Sequence, residues 1–156
     1  MADVKELQPY AANVEGLVAI LEDFRATMPN PVVFKVVGYQ ALTFEDVTQG
    51  DALYSRTSDG MVGKAIANGT VDQATVAGFA ETTVTSGNQV RAIVSGQVPA
   101  GTQTLDAGDL FFLSAASAGS ITKTPPTTAG HFLTLVGEAA NTSELIVRIK
   151  RPIQLG

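Results

Sequence analysis

A chain of 156 residues with 45% apolar and 16% charged side chains has room for one domain and a short appendage, and is too apolar to stay disordered. Its formal net charge of -5 argues against nucleic acid as the main partner, because phosphate binding needs a concentrated positive surface. It has no cysteine, which excludes disulfides, thiolate metal sites and cysteine nucleophiles.

No stretch reaches the roughly 20 apolar residues of a membrane span. No basic start followed by an apolar run marks a signal peptide, so synthesis in a cytoplasm is expected. Leu7, Tyr10, Val14, Leu17, Leu21, Phe24 and Met28 recur at alternating steps of three and four. This heptad spacing predicts an α-helix with one narrow apolar seam. Pro9 suits a first helical turn, and Asn13 offers an alternative N-cap. Met28-Pro29-Asn30-Pro31 stops the helix, since a proline pushes its predecessor out of α conformation. The seven seam residues read either as an oligomer interface between copies of the chain or as the inner face of a helix lying on its own domain. Val18 and Ile20 widen the stripe toward the second reading. Residues 1–31 are therefore expected to form a helical arm, and residues 32–156 a β domain.

After Pro31 the period becomes two. Val33 to Val37 read as a buried strand ended by Gly38. Val90, Ala92 and Val94 alternate with Gln89, Arg91 and Ile93, and Leu145, Val147 and Ile149 alternate with Glu144, Arg148 and Lys150, as half-buried strands do. Ser58-Asp59-Gly60, Asn68-Gly69, Ser86-Gly87-Asn88, Pro99-Ala100-Gly101 and Pro125-Pro126 are turn signals between strands. Short strands at this spacing predict a small β-barrel or sandwich.

The pattern occurs twice. Gly50-Asp51-Ala52-Leu53-Tyr54 returns as Gly108-Asp109-Leu110-Phe111-Phe112, and Gly60-Met61-Val62-Gly63-Lys64 as Gly119-Ser120-Ile121-Thr122-Lys123. Val76 to Ala80 returns as Leu135 to Ala139, and Val90-Arg91 as Val147-Arg148. The repeats span about 47–98 and 105–153. Two copies of an open β unit can close each other's edges.

Catalytic constellations are not apparent. His131, the single histidine, has no Gly-x-Ser-x-Gly nucleophile elbow to serve. One histidine without cysteine does not make an ordinary zinc site. Glu22-Asp23 and Glu45-Asp46 are adjacent pairs whose side chains diverge. Gly60 to Lys64 lacks the spacing of a phosphate loop, with Ala65 where a magnesium-binding hydroxyl would stand. Asp51 and Asp109 lack calcium-loop spacing and read as turn-stabilising carboxylates. Asn68-Gly69-Thr70 and Asn141-Thr142-Ser143 match the glycosylation sequon but read as turns. Arg148, Lys150 and Arg151 are the densest positive charge. Neither an enzymatic activity nor a cofactor or metal is expected.

The segment from Val47 to Ile153 resembles phage head decoration proteins, also called capsid cement or capsid-fibre proteins. The resemblance lies in Gly50-Asp51, Val76 to Ala80, Gly87, Val90 to Gly96, Leu105 to Phe111, Val136 to Ala139 and Leu145 to Ile149. Similar β modules occur in phage tail fibres and spikes. The resemblance implies a structural virion protein, a homotrimer that binds the major capsid protein on the outside of an assembled capsid and reinforces it. It implies no membrane or nucleic-acid partner. A tail-fibre or spike component, acting as adaptor or receptor-binding module, is the alternative.

Overall fold

Residues 35–156 are described by a computed structural model. The predicted helical arm, with Leu7, Tyr10, Val14, Leu17, Leu21, Phe24 and Met28, lies outside these residues.

The chain is mainly β. In order it forms β1 (Val37–Leu42), β2 (Ala52–Ser55), β3 (Val62–Lys64), a one-turn helix α1 (Val71–Ala74), β4 (Gly78–Ala80), β5 (Gln89–Pro99), β6 (Leu110–Leu113), β7 (Ile121–Thr122), β8 (Phe132–Leu133), β9 (Leu135–Ala139), β10 (Glu144–Val147) and β11 (Ile153–Gln154). Eight strands make one curled antiparallel sheet in the order β3-β2-β4-β5-β10-β9-β6-β7, and β1 pairs with β5 off this path. A two-stranded sheet joins β11 to β8. The main sheet curls into a half-barrel. Its end strands β3 and β7 form no ladder with each other.

Local chemistry explains the strand starts. Gly50 (φ +88°) and Gly108 (φ +84°) are the positive-φ residues of tight turns in which Asp51 N–H donates to the Thr48 carbonyl and Asp109 N–H to the Asp106 carbonyl. Each glycine also begins a bulge. Gly50 N–H donates to Ala80 O and Ala80 N–H to Asp51 O, at 2.9 Å each, and Gly108, Ala139 and Asp109 repeat this at 2.8 and 2.9 Å. This is the bulge that needs a left-handed first residue, which glycine adopts without steric cost. The bulge fixes which side of the following strand faces the core.

The strand pairing repeats with the turns. Ala52 and Leu53 pair with Phe79 and Gly78; Leu110 and Phe111 pair with Glu138 and Gly137. Ala80 pairs with Ala92, whereas its counterpart Ala139 pairs with Leu145. The counterpart of Ala92 is thus Leu145, an offset of 53, so the sequence match of Val90-Arg91 with Val147-Arg148 is out of register by four residues. With that correction a further strand joins the repeat. Tyr39 pairs with Ala92 as Val98 pairs with Leu145, an offset of 59. Strand β5 therefore closes the first copy with its residues 89–95 and opens the second with residues 96–99. Gly96, at φ +101°, marks the changeover. In this pairing β1 is the counterpart of the second half of β5. Gly38 does not end a strand, because β1 runs through it and a Cβ there would strike the Ala92 carbonyl.

Two apolar clusters follow the two copies. Val47, Leu53, Val62, Ala80, Val90 and Ala92 pack inside the first. Their counterparts Leu105, Phe111, Ala139 and Leu145 belong to a larger cluster that also takes Tyr54, Phe79 and Ile93 from the first copy. Burial of Ile93 beside Ala92 shows that β5 is covered on both faces, so its alternation is not that of a half-buried strand. Across the sheet ends, Ala67 N–H donates to Ser114 O, Phe132 N–H to Ala67 O, and the buried Thr134 Oγ1 to Ala74 O at 3.0 Å.

Candidate functional site

The polar residues singled out in the sequence mostly satisfy backbone groups. Glu45 accepts from Lys64 N–H at 2.7 Å, and Asp46 accepts from Ser86 N–H at 2.8 Å, so the two carboxylates serve separate loops. Lys64 Nζ lies 3.9 Å from Glu45. Asp51 accepts from Thr48 N–H at 2.8 Å, as a turn-stabilising carboxylate does. Burial raises its pKa, a shift opposed by that hydrogen bond and by Lys64. Asp109 takes a different role: its carboxylate lies 3.8 Å from Lys123 Nζ, which also binds Asp106. Both sequons are turns. Thr70 caps α1 reciprocally with Gln73, and Asn141 Oδ1 accepts from the backbone of Ser143 and Glu144. His131 is half-buried in the loop before β8, where its backbone pairs with Thr128 and Leu155.

The described residues instead offer surfaces. Among the described residues, strand β1 pairs with β5 on one side and forms no ladder on the other, where a single parallel bridge joins Thr43, just past its end, to Val62 of β3. Val36, Val37, Tyr39 and Leu42 are exposed along it. Its segment from Val36 to Leu42 contains no charge or proline, the usual guards of an edge strand. Tyr39 is 39% exposed while its counterpart Val98 is 1% exposed. Partial burial pushes the Tyr39 phenol up. Nothing in the composition of residues 36–42 signalled this edge, because a buried and an exposed apolar strand read alike.

A second surface is cationic. Arg148, Lys150 and Arg151 are all exposed, and none makes an ion pair among the described residues. Arg148 and Lys150 nevertheless hold the backbone register beyond β10, donating to Val136 O and Leu135 O at 2.9 Å each. Ile153, 62% exposed, extends this strip. Among the described residues no group of three or more metal-ligating side chains converges. No helix there is long and apolar enough to cross a membrane.

No protein-family model matches the chain, and no curated protein matches it.

Proposed function

We propose that this is a structural protein of a phage particle, one that binds the major capsid protein on the outer surface of an assembled capsid and stabilises the shell without catalysis. The observation that carries the reading is the repeated β unit. The Gly-Asp bulges and the strands of Val76 to Ala80 and Leu135 to Ala139, on which the family resemblance rests, are the elements that set the register of both copies. A protein of this kind acts by adding contacts across subunit boundaries, which favour the assembled state by mass action. The unguarded β1 edge and the Arg148–Arg151 strip are surfaces suited to such contacts. On this reading the half-barrel is a duplicated small-barrel unit, residues 1–31 form its helical arm, and the protein is a homotrimer whose seam is Leu7, Tyr10, Val14, Leu17, Leu21, Phe24 and Met28.

Cryo-electron microscopy of particles assembled with and without the protein tests the placement. A regular array of added density on the capsid exterior, with shells more resistant to heat in its presence, is the expected result. Density confined to the tail would overturn it. That outcome would favour the second reading, a tail-fibre or spike component, which the heptad spacing ahead of a β domain supports.

A further inference from the structure

The two copies meet through unlike surfaces. In the second copy the turn before β7 carries Gly119 (φ +80°), and its backbone closes on the first copy. Ala52 N–H donates to the Gly119 carbonyl, and Gly119 N–H donates to the Ala65 carbonyl, both at 2.8 Å. Ala52, the first residue of β2, is 0% exposed beneath this turn. A Cβ on Gly119 would come within 2.8 Å of Asp51 Cγ, so the seat fits a glycine turn closely.

A contact between unlike surfaces of a repeat leaves one surface of each kind unused at the ends. The counterpart of Gly119 is Gly60 (φ +73°), whose turn stands in open space. Its carbonyl accepts no hydrogen bond among the described residues. The counterpart of Ala52 is Leu110, the first residue of β6. Both follow the same bulge, so both turn their N–H away from the neighbouring strand, β4 or β9. The Ala52 N–H meets Gly119, whereas no turn or loop carbonyl of the described residues accepts from the Leu110 N–H. Leu110 is also 50% exposed, a large apolar residue where its buried counterpart is alanine.

We propose that a second copy of this chain seats its Gly60 turn on Leu110, repeating between molecules the contact that joins the two copies within one. The Gly60 carbonyl then accepts the Leu110 N–H, and the turn covers the leucine side chain. Of the carboxylates brought together, Asp59 is paired with Arg56 inside the turn, and Asp109 shares Lys123 with Asp106, so the seat keeps one net negative charge. This inference does not depend on the capsid reading or on the N-terminal seam.

The absence of native cysteine makes a direct test possible. Two full-length proteins, Leu110→Cys and Ser58→Cys, are mixed in equal amounts and oxidised gently. The mixed disulfide dimer is expected to exceed the share given by random pairing; a random distribution, or no dimer, overturns the proposal. In sedimentation velocity, Leu110→Arg should weaken self-association about tenfold or more, with its circular dichroism unchanged. The Leu17→Asp/Leu21→Asp protein should keep the Leu110-dependent contact. A wild-type chain that stays monomeric at its highest soluble concentration, or a Leu110→Arg protein that associates like wild type, contradicts it.

Discussion

Gly78 and Gly137 hold the same register position in the two copies, opposite Leu53 and Phe111. Neither has a positive φ, so alanine meets no backbone strain, and the room for its methyl group decides the outcome. At Gly78 the new carbon would sit 3.0 Å from Ile93 O and 3.1 Å from Ala92 Cβ, a crowding that a few tenths of an ångström of movement relieves. At Gly137 it would overlap the carbonyl of Ile146 and lie 2.9 Å from Leu145 Cγ. Ile146 and Leu145 belong to the paired strand itself, so relief there means parting β9 from β10. Either substitution restricts the unfolded chain and gains about 0.4–1 kcal/mol. Overpacking costs about 1–3 kcal/mol, and more where backbone must move. Gly78→Ala is therefore expected within about 1 kcal/mol of wild type, and Gly137→Ala about 2 kcal/mol or more below it. Urea unfolding followed by circular dichroism measures both, and an unchanged slope confirms that stability is what changed. Equal losses, or the larger loss at Gly78, would refute the steric reasoning and with it the register assigned to β9 and β10.

Leu53 and Phe111 are buried counterparts in the two cores. Leu53→Ala should cost about 2–5 kcal/mol and Phe111→Ala about 3–5 kcal/mol in the same unfolding assay; a loss below about 1 kcal/mol at either would deny that residue its place in the core. Thr134→Val removes the buried donor to Ala74 O and should cost about 1–3 kcal/mol, read as a lower melting temperature. Asp51 is raised above its ordinary value of 3.8, chiefly by burial, so the folded state favours its protonated form. Stability from this group is greatest below the ordinary value and declines as pH rises through the raised one. Asp51→Asn keeps an acceptor for Thr48 N–H and should flatten that decline in a pH series of unfolding curves; a decline as steep as that of wild type would rule burial out as its cause. Leu17→Asp/Leu21→Asp places charge in the N-terminal seam and should dissociate the proposed trimer while the β signal stays. If the β signal is lost as well, Leu17 and Leu21 contribute to the protomer's own core.

Turn chemistry and strand period were legible in the sequence because both are local. Gly50-Asp51 and Gly108-Asp109 mark bulges wherever they fall, since the positive φ they need is a property of glycine. The alternation of Leu145 and Val147 showed which face of β10 is buried, and both are buried. The existence of a repeat was legible for the same reason. Its register was not. Matching Val90-Arg91 to Val147-Arg148 is wrong by four residues, an even shift that leaves every side chain on its original face and so cannot be detected from alternation. Only the pairing of Ala80 with Ala92 and of Ala139 with Leu145 decided it, and with it the double role of β5. Burial was decided at the same level. Leu110 and Ala52 follow identical bulges, yet one lies open and the other is sealed, because only Ala52 has the Gly119 turn across it. Residues 52 and 119 meet only when the sheet curls, and no periodicity in the chain encodes which of two equivalent positions will be covered.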